Sequence, residues 1–90
     1  MPPYTIRLTP AAARQLRSLP PQTRVRVVAR IDALAVDPRP PGCEKLQGSE
    51  RHHRVRSGDY RIIYRIDDAE LIVSIVHMGH RRDVYRRFDG

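Results

Sequence analysis

The chain has one cysteine, no tryptophan and no long apolar run. A single cysteine, Cys43, cannot form an internal disulfide or a cysteine-rich metal site. No apolar stretch reaches the ~18 residues that a membrane-spanning helix needs, and residues 1–10 lack the apolar core of a signal peptide. Sparse cysteine is typical of a reducing compartment, so we expect a cytoplasmic protein.

Lysine is also scarce, and arginine replaces it. Lys45 is the only lysine, although Lys+Arg total 17 against 10 for Asp+Glu and give a net charge of +7. This charge favours a polyanionic partner such as nucleic acid or an acidic protein segment. Arginine binds phosphate in a planar, bidentate manner. The alternative is a basic protein without an anionic ligand. Membrane binding is disfavoured because neither predicted helix combines a basic face with large apolar anchors.

Ninety residues predict a single domain over 1–90. A β-prone segment at 4–8 predicts a first strand, and Thr9-Pro10 has the residue types that begin helices. Helices are predicted at 10–19 and 22–36, joined by a very short link as a helical hairpin. Apolar positions recur at helical spacing on one face of each helix: Ala12, Leu16 and Leu19, then Val27, Val28, Ile31, Leu34 and Ala35.

The second half of the chain predicts three strands, at 51–57, 60–67 and 71–78. A short helix or turn is predicted over 80–88. The resulting order is β-α-α-β-β-β, which indicates an α+β fold. We expect the helical hairpin to pack on one face of a mostly antiparallel four-stranded sheet, and much of the positive charge to lie on the other face.

Two of these strands form a basic hairpin around the turn at 57–59. Side chains alternate between faces of a strand, so His52, Arg54 and Arg56 share one face, while Val55 points to the helices. Arg61 lies across the turn and completes a cluster of guanidinium groups. Such groups repel one another unless an anion lies among them, which favours a phosphate ligand. The alternative is a solvated arginine face paired with Asp59, Asp67 and Asp68.

The histidines provide candidate proton-transfer groups. The cationic surroundings of His52 are expected to lower its pKa and to favour the neutral imidazole. His53 points to the opposite face, so the pair has poor spacing for zinc, and no metal or cofactor is predicted. His80 begins the polar tail and is a further candidate. In the same tail, Tyr85 could stack on a base, pack into the domain edge or transfer a proton.

Several motifs together resemble the RelE/ParE toxin superfamily of bacterial type II toxin–antitoxin systems, and the resemblance covers nearly the whole chain. They are "TPAAARQLRSLP", "LQG", "RVRSGDYRIIYRIDD" and the ending "GHRRDVYRRF". The resemblance implies a RelE-like fold. For the RelE branch it implies a metal-independent endoribonuclease that cuts mRNA in the ribosomal A site, together with a cognate antitoxin in a toxin–antitoxin hetero-oligomer. The basic charge favours an acidic antitoxin segment.

The resemblance also implies site residues. Matched position by position, the catalytic set is His52, Arg54, Arg61, Arg81 and Tyr85. Further RNA contacts are expected from Arg56, His80, Arg82 and Glu44. The best-known relatives have a lysine where this chain has His52, and some relatives use a glutamate at the position of Glu44.

Arginine does not deprotonate in proteins, so it cannot be the general base. The base is therefore His52, Tyr85, His80 or Glu44, with His52 and Tyr85 favoured. Two other functions stay open. A ParE-like protein would inhibit DNA gyrase through protein contacts, and an inactive relative would bind RNA without cutting it.

Overall fold

The computed structural model describes residues 3–48 and 51–80, and it confirms the α+β fold and the predicted order of the main elements. One short strand, β2, is additional. The elements are β1 (Thr5–Leu8), α1 (Pro10–Ser18), α2 (Pro21–Val36), β2 (Glu44–Lys45), β3 (His52–Ser57), β4 (Tyr60–Asp67) and β5 (Ile72–His80). Neither helix is long and apolar enough to cross a membrane.

The strands form one sheet in the order β1-β5-β4-β3-β2. β1 pairs with β5 in parallel, and the other pairs are antiparallel. The sheet thus has five strands in the described residues, and the predicted number of four was too low. The extra strand pairs Glu44 with Arg54 and Lys45 with His53. Two residues are too few to show the alternating pattern by which strands are recognised in a sequence.

Local sequence sets the ends of both helices. The Thr9 hydroxyl accepts a hydrogen bond from the Ala12 backbone N–H (3.1 Å), as an N-cap does, and donates one to the Val76 carbonyl (3.0 Å). Pro10 then occupies the first turn, where its missing N–H has no cost. The same preference explains why α2 begins at Pro21, one residue earlier than predicted.

The core lies between the helices and one face of the sheet. Its buried members are Ala12, Leu19, Val27, Ile31, Leu34, Val55, Ile62, Tyr64, Val73, Ile75 and Met78. The predicted stripe of each helix is confirmed except at Val28, which is exposed. Val28 lies one residue round the helix from Val27, at the edge of the buried stripe, where the sheet no longer covers it.

Tyr64 connects this core to the loop that precedes β2. Its side chain is fully buried, and its hydroxyl donates a hydrogen bond to the Pro38 carbonyl (2.6 Å). The His53 ring stacks on the Tyr64 ring at 5.7 Å, which confirms that His53 faces the core side. Burial is the main reason that the Tyr64 pKa is raised, so the hydroxyl stays protonated.

The last strand is longer than predicted. β5 continues to His80, which pairs with Tyr60 across the sheet, so His80 belongs to a strand and the predicted tail begins too early. β4 begins at Tyr60 and offers the ladder partner that lets β5 extend this far. Residues 81–88 of the predicted helix or turn lie outside the described residues.

An exposed ion pair ties the β4–β5 turn to the rest of the fold. Both carboxylate oxygens of Asp68 accept hydrogen bonds from Arg39 (2.9 and 3.2 Å), and the Tyr4 hydroxyl donates a third (2.7 Å). These hydrogen bonds lower the pKa of Asp68 from 3.8 to about 2. The bonds from Arg39 have the largest effect, and the bond from Tyr4 has the next largest.

The Asp68 interactions predict a pH-dependent stability. A depressed carboxyl pKa stabilises the folded state above the unfolded-state pKa of 3.8, and this stabilisation is lost as the pH falls toward about 2. We expect Asp68→Asn to lower the melting temperature at neutral pH and to have little effect at about pH 2. Thermal melts of both proteins across this range test it. A difference in melting temperature that does not shrink with falling pH would contradict the assignment.

Candidate active site

The sheet face opposite the helices is basic. We call it the arginine face, comprising His52, Arg54 and Arg56 of β3 with Arg61 and Arg65 of β4. The register pairs Arg56 with Arg61 and His52 with Arg65 across the two strands. Val55 and Ile62, which alternate with these residues, are buried against the helices, so the predicted division between the two faces is confirmed.

Four charged side chains converge on this face. They line a cavity of about 260 Å³ and are Glu44, Arg54, Arg56 and Arg61. Gly42 and Val55 complete the lining. We call it the Arg54 cavity. The structure therefore brings the three arginines of the predicted cluster together, and it adds the Glu44 carboxylate, which the short strand β2 places beside Arg54.

Glu44 forms an ion pair with Arg54, with 2.5 Å between its carboxylate oxygen and the Arg54 Nη2. The hydrogen bond from Arg54 is the main reason that the Glu44 pKa is lowered, and the charges of Arg56 and Arg61 lower it further. Glu44 is thus a carboxylate and a weak base in this arrangement. The alternative left open by the sequence was that Asp59, Asp67 and Asp68 pair with the arginine face. Asp68 forms its ion pair with Arg39 instead.

Arg61 is the least exposed cation of the cluster, with 8% of its surface accessible. Ile63, which follows it on the same face, is 1% exposed. Burial lowers the local dielectric, and a charge in such surroundings acts more strongly on a bound anion than a solvated charge does. Of the arginines that line the Arg54 cavity, Arg61 is therefore the one whose charge water screens least.

His52 lies on the arginine face but does not line the Arg54 cavity. Its pKa is lowered, first by burial and then by the charge of Arg65. The predicted direction of the pKa shift is confirmed, whereas the predicted cause was the cluster of Arg54, Arg56 and Arg61. The expected result is the same: a neutral imidazole at neutral pH that can accept a proton.

His80 lies on the other side of the sheet. Its ring contacts the edge of the Tyr60 ring at 5.9 Å, and both residues line a separate cavity against α1. The structure does not bring His80 together with the arginine cluster. Arg81, Arg82 and Tyr85 lie outside the described residues, so their roles stay predictions. In the described part of the chain, no three His, Cys, Asp or Glu residues are placed to hold a metal ion.

The sequence did not indicate the roles of two residues, Arg65 on the arginine face and Gln15 on α1. Arg65 contributes to the arginine face, and its spacing of four from Arg61 along a strand was the available signal. Gln15 of α1 holds the end of β5, because its amide contacts His77 Nδ1 (2.7 Å) and accepts a hydrogen bond from the Met78 backbone N–H (2.8 Å). No sequence pattern indicated this contact between distant elements.

Comparison with known proteins identifies the family. The family model described as "ParE toxin of type II toxin-antitoxin system, parDE" matches residues 6–85. The chain is 38% identical to the toxin RelG of Mycobacterium tuberculosis, covering 94% of this chain and 99% of that protein. It is 35% identical to the toxin RelE of the same organism, covering 93% and 88% of the two chains.

A solved structure agrees with these relatives. It is the toxin–antitoxin complex RelBE2 from Mycobacterium tuberculosis, with a TM-score of 0.76 and 36% identity, covering 88% of this chain and 99% of that chain. Sequence and fold thus lead to the same superfamily that the motifs indicated. The chain belongs to the RelE/ParE toxin superfamily of type II toxin–antitoxin systems and resembles its RelE branch.

Proposed function

We propose that this toxin is a metal-independent endoribonuclease that cuts mRNA in the ribosomal A site and thereby stops translation. The observation that carries the proposal is the convergence of Arg54, Arg56 and Arg61 on one cavity. Three guanidinium groups around a space of about 260 Å³ suit the phosphate of an RNA backbone. The similarity to toxins named RelE and RelG supports the same conclusion.

The proposed reaction needs three things from the protein. The 2′-OH must lose its proton, the pentacoordinate phosphorane must be stabilised, and the leaving 5′-oxygen must gain a proton. We assign phosphate binding and charge stabilisation to Arg54 and Arg61, with Arg56 as a supporting charge. Removing one such donor at comparable sites costs ~3 kcal/mol of transition-state stabilisation. Arg54 would exchange its bond to Glu44 for one to the phosphate.

Proton transfer falls to the remaining groups. We propose neutral His52 as the base, because its lowered pKa keeps it unprotonated and it lies two residues, roughly 6.6 Å along the strand, from Arg54. Glu44 is the weaker candidate because its ion pair with Arg54 lowers its pKa. Arg81 and Tyr85 are proposed to complete the site from the C-terminal segment.

We also propose a cognate antitoxin as partner. The similar RelBE2 structure is a toxin–antitoxin complex, and a net charge of +7 favours a partner with an acidic segment. The two proteins would form a hetero-oligomer in the cytoplasm, where mRNA is translated. Covering the arginine face would then block access of RNA to the Arg54 cavity.

Mapping of mRNA ends after induction tests the proposed activity. Primer extension should show cuts within translated codons, and a start-codon mutation in a reporter mRNA should abolish the cuts in that reporter. The matching family model is described by its ParE members, so gyrase inhibition is the second candidate. Inhibition of DNA supercoiling by the purified toxin, without mRNA cuts, would contradict the ribonuclease proposal.

A further inference from the structure

We propose that Arg7, Arg65 and Ser74 form a second phosphate-binding site on the arginine face, which holds the RNA strand beside the Arg54 cavity. The inference rests on the proposed ribonuclease function and deepens it. It assigns a role to Arg65, four residues along β4 from Arg61, and to Arg7 and Ser74 on the strands beyond β4.

The three residues form one row across the sheet. Arg7 of β1 pairs in register with Ser74 of β5, and Ser74 pairs with Arg65 of β4. Neighbouring strands lie about 4.8 Å apart, so the two arginine backbones are separated by about 10 Å. Two long guanidinium side chains can reach one phosphate across that distance, with the Ser74 hydroxyl between them as a further donor.

All three side chains lie on the arginine face. Ile6 packs against the core, and Val73 and Ile75 are members of it, so the alternation of a strand places Arg7 and Ser74 on the opposite side. In β4, Tyr64 belongs to the core and Ile66 packs against it, which places Arg65 on that side as well. Arg7 and Arg65 are exposed and Ser74 is half-buried, so a ligand can reach all three side chains from the solvent.

These residues line a real concavity. A cavity of about 430 Å³ is bordered by Arg7, Arg65 and Ser74, and Arg51 adds a third guanidinium. We call it the Arg65 cavity. Its guanidinium and hydroxyl donors suit a phosphate group, which accepts several hydrogen bonds at once.

Two acids also border the Arg65 cavity, but both have other partners. Asp68 accepts hydrogen bonds from Arg39 and Tyr4, which lie outside the lining. The Oδ1 atom of Asp67 accepts a hydrogen bond from the Glu70 backbone N–H (2.9 Å) and closes the turn. Since Arg39 compensates Asp68, the three lining arginines keep an excess of positive charge.

The contrast with Arg54 indicates an external ligand. Arg54 has an acid of its own, Glu44. Within residues 3–48 and 51–80, by comparison, neither Arg7 nor Arg65 forms an ion pair. Asp67 and Asp68 border the same cavity, but in the described residues neither acid forms an ion pair with these guanidinium groups. The guanidinium groups would therefore gain from a phosphate supplied by a ligand.

The distance between the two cavities selects a polymer. Arg61 and Arg65 lie four residues apart on β4 and share a face, which separates their backbones by roughly 13 Å. Arg61 lines the Arg54 cavity and Arg65 lines the Arg65 cavity, so one phosphate fills only one of the two cavities. A single RNA strand has regularly spaced phosphates and can be cut at the Arg54 cavity while another phosphate of the same strand is held at the Arg65 cavity.

The test compares the binding of two RNA lengths. Anisotropy titrations would use fluorescent single-stranded RNA carrying 2′-O-methyl groups, which prevent cleavage, in one length that fits a single cavity and one that spans both. We expect the wild-type toxin to prefer the long RNA. The double variant Arg7→Gln/Arg65→Gln should bind both lengths equally, and its salt slope should fall by ~0.7 for each phosphate that it no longer neutralises.

The matched control is Arg17→Gln/Arg26→Gln, which removes the same charge from exposed positions of α1 and α2. It should keep the preference for the long RNA. The inference is overturned if the Arg7/Arg65 variant keeps that preference too, or if wild-type toxin shows none. It is also overturned if the variant weakens binding of a poly-glutamate peptide as much as binding of RNA, which would indicate a surface for acidic protein. Cleavage mapping on ribosomes decides the proposed function separately.

Discussion

Replacing Arg61 with glutamine is expected to reduce the rate of mRNA cleavage by at least about 100-fold. Arg61 is the most buried cation of the Arg54 cavity, so its charge acts on the phosphorane with little screening by water. Glutamine keeps a polar side chain of moderate size but cannot supply the charge. The measurement is single-turnover cleavage of a defined mRNA on purified ribosomes by the purified toxin.

The control for this experiment is Arg26→Gln, an equal loss of charge on the exposed surface of α2. It should cleave at nearly the wild-type rate. Circular dichroism and a thermal melt of Arg61→Gln should show a folded domain, so that a loss of activity is not a loss of structure. A folded Arg61→Gln toxin with wild-type cleavage would show that Arg61 does not stabilise the transition state.

Tyr64→Ala is expected to have the largest effect on stability, about 3–5 kcal/mol of the free energy of unfolding. Tyr64 is one of the largest fully buried side chains, and its removal leaves a cavity in the middle of the core. Small domains have only about 5–15 kcal/mol of stability in total, so a substantial unfolded population is expected. Urea denaturation followed by circular dichroism gives the value.

Tyr64→Phe separates the ring from the hydroxyl. It keeps the ring in place and removes the hydroxyl, which donates a hydrogen bond to the carbonyl of the buried residue Pro38. The expected loss is about 1–3 kcal/mol. A Tyr64→Ala protein that unfolds at the wild-type urea concentration would contradict the assigned place of Tyr64 in the core.

Much of the fold was predictable because its elements are long and periodic. β3 and β4 form a hairpin around a short turn, and the two-residue repeat of strands already placed Arg54, Arg56 and Arg61 on one face. The pair between Glu44 and Arg54 was not predictable in the same way. It depends on a two-residue strand that pairs with β3 across an intervening loop, and nothing local in the sequence sets that register.

The position of His80 was not predictable for a different reason. Regular alternation from Ile75, a core residue, places His80 on the arginine face. The register of β4 and β5 shifts between Ile63 and Tyr64, however, and one extra residue of β5 is inserted there. A bulge of this kind moves every later side chain to the other face, which is why Met78 joins the core and His80 meets Tyr60.

The ion pair between Glu44 and Arg54 has a consequence for the choice of ligand. Because the carboxylate belongs to the same chain, it competes for Arg54 at a high effective concentration, which for short flexible tethers is in the millimolar range. Small free anions at lower concentration displace it poorly. A strand already anchored at a second point on the sheet presents its own phosphate at a comparable local concentration. We therefore expect the Glu44 carboxylate to be displaced from Arg54 by RNA chains but not by inorganic phosphate or mononucleotides.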